Sequence, residues 1–454
     1  MTDFQNKKVG ILGLGEENIA LAKFLVAKKA NVVICDQKSR EELGKYYEQA
    51  QTLPVQFRLG PHYLDHLEDF AVVFRTPGLP YLNEKIQAAK ASGVKISSQI
   101  KLFFENSPSP IIGITGTKGK GTTASLIGEI LKKANKSIYI AGNIGTPPIS
   151  FLKELTPDDI VVLELSSFQL QDLNISPHIA VVLDIKVDHL DYHRDEAEYV
   201  DAKKNIVRYQ KRSDLAVICA DYLTSFEFAI STHGQVFWFS RRKSIDEGAF
   251  VRESSEIILR MYGKDYKIAD SSEITLRGEH NLENICAAVT ASYLAGADLE
   301  SIKNAVKAFR GLEHRLEFIR EVNGIKYYND SFSTTPDTAI AAIRSFKEPI
   351  ILIAGGSEKG ADYSEFGKVI SSSAVKTAIL IGTTGPKIKL KIKDKKLKII
   401  ENCKNMDDIV EAVKNEAESG DVVLLSPASA SFDWFQNYKD RGSQFKEAIL
   451  RKFS

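Results

Sequence analysis

Apolar residues along this chain fall into two alternating rhythms. Short runs rich in β-branched residues ("KKVGIL", "NVVICD", "AVVFR", "PIIGIT", "DDIVVLEL", "PHIAVVLD", "GIKYY", "PIILIAGG", "KTAILIG", "DVVLLS") have the length and composition of buried strands. Between them lie segments with apolar residues at helical spacing, among them "ENIALAKFLVAKKA", "ASLIGEILKKA" and "EHNLENICAAVTASYLAGA". Strand alternating with helix predicts an α/β fold. At 454 residues the chain is too long for one ordinary core, so two to four domains are expected. "FFENSPSP" (103–110) reads as a linker, and a third α/β segment starts near "GLEHRLEFI". The stretch 215–275 reads as strands and turns, a candidate β insertion.

Composition narrows the partners. Sixty Lys and Arg balance 59 Asp and Glu, which gives no electrostatic case for nucleic acid or an anionic membrane. The lysine-rich run "KIKLKIKDKKLKII" (387–400) therefore reads as a strand with one solvated face rather than a nucleic-acid site. Cys35, Cys219, Cys286 and Cys403 have no metal-ligand spacing and suggest free thiols in a reducing compartment. The N-terminus is a short polar lead into a strand, and no apolar run reaches spanning length, so a cytoplasmic protein is expected.

Two glycine-bearing turns carry the chemistry. The first, Gly13-Leu14-Gly15, leads from a strand into a helix, and the next strand ends in Asp36. This is the layout of a dinucleotide-binding unit, except that Asn18 stands where a third glycine belongs. Such a turn suits any diphosphate ligand. The second, "GITGTKGKGTTAS" (113–125), lies between "PIIGIT" and a helix, the setting in which backbone N–H groups and a lysine hold phosphate. It departs from the common G-x-x-x-x-G-K-[ST] loop, with Ile114 at the first glycine and Gly121 at the hydroxyl position. Thr122 and Thr123 can supply that hydroxyl. Glu164 and the Asp188-His189 pair fall at strand ends, where ligands of parallel sheets bind. Glu164 suits Mg²⁺, and His189 is as well read as a hydrogen-bonded core residue as a ligand of metal or phosphate.

In one order over nearly the whole chain come "GTKGKGTT", "AGNIGTPP", "LELSSFQL", "DHLDYH", "YVDAKKN", "EHNLEN", "EHRLE", "YNDSFSTTPD", "AGGSEKGADYS" and "SPASASFDWFQNYKDRGSQF". Together they resemble the Mur ligase family. The resemblance implies three α/β domains: a Rossmann-like UDP-binding domain (1–105), a central P-loop ATPase domain (106–311) and a Rossmann-like C-terminal domain with the amino-acid site (312–454). It implies an ATP-dependent ligase using Mg²⁺ or Mn²⁺. Such an enzyme joins D-glutamate to UDP-N-acetylmuramoyl-L-alanine through an acyl phosphate, in cytoplasmic peptidoglycan precursor synthesis. Its partners would be small molecules only, and the chain a monomer.

Residue by residue, the resemblance puts Gly116, Thr117, Lys118, Gly119, Lys120, Gly121, Thr122 and Thr123 around the ATP phosphates. Asn281, Asn284, Arg315 and Asp330 match the other nucleotide positions. Lys120, Glu164, His189 and Lys203 form the catalytic set. Thr122, Glu164, His189 and Lys203 would hold metal, with Lys203 carbamylated so that a cation becomes an oxygen ligand and Lys204 dispensable. Gly15, Asp36, Thr76 and Gly78 match the UDP site, and Asn143, Ser166 and Gln169 the sugar-diphosphate and acyl end. Thr334, Lys359, Ser431, Phe432 and Tyr438 match the D-glutamate pocket.

The family loop, G-[ST]-x-G-K, is shorter than the common one, so Ile114 is no defect. Four departures stand out. Gly121 replaces the usual Ser or Thr of the muramyl ligases. Phe332 replaces a lysine, and Thr335 an asparagine. Glu16 and Glu17 sit beside an expected diphosphate, either turned away or touching the uracil through a backbone N–H. A folylpolyglutamate synthetase-like ligase shares the chemistry and a Gly after the lysine, but the N-terminal segment and "LELSSFQL" count against it. An NAD dehydrogenase leaves the second loop unexplained. A non-catalytic nucleotide-binding regulator would not need Lys120, Glu164, His189, Lys203 and Asp330.

Overall fold

The computed structural model describes residues 3–142, 146–186, 192–276, 278–358, 360–394 and 396–453. Its strands form three sheets. The first contains β1 (Lys8–Leu12), β2 (Asn31–Asp36), β3 (Gln56–Leu59), β4 (Val72–Arg75) and β5 (Lys95–Ser97), all parallel, in the order β3-β2-β1-β4-β5. The order reverses at β1, so the turn that follows β1 opens at the crevice where α/β sheets take ligands.

The second sheet holds β6 (Ile111–Thr115), β7 (Ile138–Gly142), β8 (Ile160–Glu164), β9 (Ile179–Val182), β10 (Leu215–Cys219), β11 (Gln235–Ser240), β12 (Gly248–Val251), β13 (Glu256–Met261) and β14 (Lys264–Asp270). Its order is β14-β13-β12-β11-β10-β9-β6-β8-β7. Pairing is parallel from β7 through β12 and antiparallel from β12 through β14. The stretch 215–275 is therefore not a separate insertion. It extends the central sheet, and a helix, Leu223–Ser231, lies within it. β6 is buried at every residue, as its continuous Ile-rich run requires of a central parallel strand.

The third sheet holds β15 (Glu317–Val322), β16 (Ile325–Asn329), β17 (Ile350–Gly355), β18 (Val375–Ile381), β19 (Lys398–Ile400) and β20 (Val422–Leu425), in the order β15-β16-β20-β17-β18-β19. Only β15 runs antiparallel to its neighbour. Two expectations change here. The run 387–400 is not one strand: Gly385-Pro386 start a short helix, Gly385–Lys389, and among the described residues of the run only Lys398–Ile400 is strand. The linker is shorter than "FFENSPSP", because the helix Gln99–Asn106 takes its first half.

Compactness divides the chain into 1–270 with 283–306, and 271–282 with 307–454. In the first unit one apolar core runs from the first sheet into the second. Phe103 meets Phe151 edge-on at 5.8 Å, and Phe151 stacks on Tyr139 at 4.8 Å. In the second unit the third sheet carries a separate apolar cluster on each side.

Candidate active site

The loop after β6 is held by its neighbours before any ligand is considered. Thr115 Oγ1 donates to the Leu165 carbonyl (3.0 Å), and Thr117 N donates to Asp184 O (2.8 Å). Thr117 Oγ1 lies 3.0 Å from the Tyr199 hydroxyl. Gly119 caps the helix Lys120–Lys133 with φ +87°, where a Cβ would be strained and would run into Asn284 Oδ1. Asn284, from a distant helix, thus packs directly on the loop.

Two cations converge there. Lys120 Nζ donates to the carbonyls of Gly116 (3.0 Å) and Thr117 (3.2 Å). Lys203, on the helix Glu196–Arg208 and only 2% exposed, donates to Gly116 O (3.0 Å) and Thr115 Oγ1 (3.3 Å) and lies over the Tyr199 ring. Beside β6, Glu164 ends β8 in register with Ile114 and is buried. Thr122 is buried, and Thr123 Oγ1 is buried with no hydrogen-bond partner among the described residues. A glycine cradle, a helix N-terminus, two lysines and oxygen donors fit a nucleotide triphosphate with a hard divalent cation. Lys203 fits such a cation only after its ammonium has been changed to an oxygen ligand.

The first turn is built differently from a dinucleotide site. Asp36 accepts from Leu14 N (2.7 Å) and Lys38 N (2.9 Å), so its carboxylate anchors the turn itself. Asn18 Nδ2 donates to Leu12 O (3.1 Å) and Gly13 O (2.8 Å), which accounts for the missing third glycine. Thr76 N donates to Leu12 O, Gly15 caps the helix Glu16–Ala27, and Gly78 is exposed. Glu16 is exposed and lines a cavity of about 490 Å³ together with Lys23, Phe24 and Lys153. Burial pushes the Glu17 carboxyl up to about 7, against the pull of Arg75.

In the second unit, buried Asp330 accepts from Leu316 N (3.1 Å) and Ser426 Oγ (2.7 Å), and burial raises its carboxyl to about 6. The Arg315 guanidinium lies over the Phe332 ring at 4.2 Å, and Tyr438 meets that ring edge-on at 5.1 Å. Ser431 is buried, Phe432 is exposed with its N–H on Ser357 Oγ, and Thr334 N donates to Phe332 O. Among the described residues, Glu313, His314 and Glu317 bring ligand atoms within 4.8 Å of one another, but Lys446 already pairs with both glutamates.

Comparison with known proteins now bears on the whole chain. The Mur ligase MurD-like N-terminal domain matches residues 7–98, the Mur ligase middle domain 114–292, and the Mur ligase glutamate ligase domain 314–429. The chain belongs to the Mur ligase family. This Mur ligase is 40% identical over 452 residues to the UDP-N-acetylmuramoylalanine--D-glutamate ligase of Acetivibrio thermocellus, covering 98% of this chain and 96% of the other. It is 42% identical over 446 residues to the same-named protein of Symbiobacterium thermophilum, covering 98% of each. The MurF ligase of Thermotoga maritima, solved in complex with ADP, shares the fold at a TM-score of 0.57 and 16% identity, over 99% of this chain and 96% of that one.

Within this Mur ligase the structure brings Gly116, Thr117, Gly119, Lys120, Glu164, Lys203 and Asn284 to the end of β6. Lys118, Gly121, Thr122 and Thr123 belong to the same loop and helix. Ser166 and Gln169 lie just beyond Glu164, but they cap one another: Ser166 Oγ accepts from Gln169 N, and Gln169 Oε1 accepts from Ser166 N. Asn281, Arg315, Asp330, Thr334, Ser431, Phe432 and Tyr438 fall in the second unit. Asn143, His189 and Lys359 lie outside the described residues. Lys204 points elsewhere, to Glu227.

Two buried arginines, Arg75 and Arg441, stand outside the site residues expected from the sequence. Arg75 is 1% exposed and donates to the carbonyls of Thr76, Pro77, Leu79 and Phe168 and to the Tyr192 hydroxyl, with Asp172 at 3.3 Å. It ties the Thr76 turn to "LELSSFQL". Arg441 is fully buried and donates to Ser331 and to the carbonyls of Ser429 and Ala430, fixing the backbone beside Ser431; burial lowers it to about 10. A charge closing the apolar run "AVVFR" was the available signal for Arg75.

Proposed function

We propose that this Mur ligase joins the amine of D-glutamate to the alanyl carboxylate of UDP-N-acetylmuramoyl-L-alanine, with ATP cleaved to ADP and phosphate. Lys120 and Lys203 meeting at the Gly116 carbonyl is the observation that carries the phosphoryl chemistry. The names of its full-length relatives support the two acceptors. The substrate carboxylate attacks the γ-phosphorus and ADP leaves. The amine then attacks the acyl carbon, loses a proton and expels phosphate. Lys120 holds β- and γ-oxygens, and the helix N-terminus adds its aligned N–H groups. Mg²⁺, when bound, neutralises phosphate charge; Thr122 and Glu164 would hold one ion, and His189 and carbamylated Lys203 a second. These groups act by positioning and by stabilising charge.

We place domain boundaries at 105/106 and 311/312; the presence of three separate sheets supports a division into three. Gly15, Thr76 and Gly78 take the UDP moiety, Arg315, Asp330 and Asn284 the nucleotide, and Lys359 and Ser431 the D-glutamate. Among the described residues no helix is long and apolar enough to cross a membrane. We assign the chain to the cytoplasm as a monomer.

The deciding experiment measures phosphate release with UDP-N-acetylmuramoyl-L-alanine while the amino acid is varied. D-glutamate alone should support turnover. Preference for a neutral or basic amino acid refutes the acceptor assignment, and turnover with a folate acceptor refutes the UDP-substrate assignment. Lys359→Ala should raise the KM for D-glutamate by at least about tenfold, with that for ATP unchanged.

A further inference from the structure

Arg315 sits in a backbone forced on both sides. His314 before it has φ +64° and Leu316 after it φ +44°, a region that residues with a Cβ enter only at a free-energy cost. The surroundings hold this shape. Asp330 accepts the Leu316 N–H at 3.1 Å, Glu317 accepts the His314 N–H at 3.0 Å, and Asn329 Nδ2 donates to His314 Nδ1 at 2.9 Å. Strain kept in place around one arginine marks that side chain's placement as the thing being maintained.

The guanidinium so presented lies 4.2 Å from the centroid of Phe332. Phe332 is in turn braced by Tyr438, whose ring meets it at 89° and 5.1 Å. Yet Phe332 is 39% exposed, so burial alone does not account for a large aromatic there. A ring face attracts a guanidinium lying over it.

We propose that Phe332 is a positioning residue for Arg315: its ring face fixes the plane of the guanidinium in the orientation that meets the nucleotide phosphates. This rests on the reading of Arg315 as a nucleotide contact. A guanidinium already ordered against a ring loses less rotamer freedom when the phosphates arrive, so the gain falls on ATP binding and not on the chemical step. The bracing by Tyr438 keeps the ring from turning its edge to the cation.

The test is a double-mutant cycle read as KM for ATP, kcat and KM for D-glutamate. Phe332→Leu keeps an apolar side chain but removes the ring; it should raise the ATP KM about five- to tenfold with kcat changed less than about twofold. Phe332→Trp should restore it, and KM for D-glutamate should not move. Arg315→Ala should raise the ATP KM further, and adding Phe332→Leu to it should change nothing more. A wild-type ATP KM in Phe332→Leu overturns the proposal. So does an equal loss when Phe332→Leu is placed in the Arg315→Ala background. A wild-type ATP KM in Arg315→Ala overturns the nucleotide reading of Arg315 itself, and Phe332 then has nothing to position.

Discussion

Lys120 and Lys203 come from different helices and both donate to the Gly116 carbonyl, which sets two cationic side chains close together at the buried end of β6. The Lys120 ammonium favours an anion at the loop, and carbamylation would give Lys203 the oxygen that a bound metal needs. Lys120→Ala should leave the fold intact and lower phosphate release by about a hundredfold or more, the scale of losing one preorganised charge contact; near-normal release would remove the loop assignment. Glu17 makes the opposite argument in the first turn. With its carboxyl at about 7, it is largely protonated and neutral below that pH and ionised above it. An ionised Glu17 repels a diphosphate, so KM for the UDP substrate should climb as pH passes upward through 7, and Glu17→Gln should flatten that rise. The same shift bears on stability. The folded value exceeds the ordinary 4.5, so the protonated carboxyl contributes stability below 4.5 that is lost as pH rises through about 7. Thermal melts should therefore favour Glu17→Gln over wild type above pH 7 and converge with it at low pH. Matching profiles for the two proteins would refute both expectations.

At the scale of elements, a strand, a turn and a helix make each ligand-binding edge, but side chains from elsewhere set its shape. Asn18 replaces a glycine of the dinucleotide pattern and closes the first turn with two hydrogen bonds, to Leu12 and Gly13. Asn18→Gly, though nearer the usual pattern, should cost about 1–3 kcal/mol by taking this donor from the Gly13 carbonyl and leaving Leu12 O with the Thr76 N–H; urea denaturation measures it, and an unchanged midpoint contradicts it. The same contrast explains what the sequence disclosed. Strands such as "PIIGIT" and "DVVLLS" were legible because a central parallel strand is apolar throughout. Lysines alternating with apolar residues over 387–400 misled, because Gly385-Pro386 favour a helix start over a strand. The stretch 215–275 gave its strands away but not their place in the central sheet, since pairing partners are not written in local periodicity. The roles of Asn18, Arg75 and Arg441 were hidden because each acts on backbone carbonyls, which carry no residue signature.

Across the molecule, apolar clusters on the three sheets supply the stability, and all four cysteines are free thiols. Divalent metal should then serve turnover and not folding. Adding a chelator should abolish phosphate release while the melting temperature of the ligand-free protein stays where it was; a large drop would reveal a structural metal.

The strand order of the central sheet also fixes a schedule for the growing polypeptide. β6 leaves the ribosome early, yet its sheet neighbours are β8 and β9, and the side chain that packs on its loop is Asn284. The first sheet is complete by Ser97, so it is finished while β6 still shows bare edges to the solvent. Until Ile160–Glu164 and Ile179–Val182 arrive, an isoleucine-rich segment with unpaired amides stays open to other nascent chains. Parallel pairing between segments far apart in sequence is slow and exposed to aggregation. Refolding yield from denaturant should accordingly fall as protein concentration rises, and the phosphate loop should be among the last parts of the molecule to become resistant to protease.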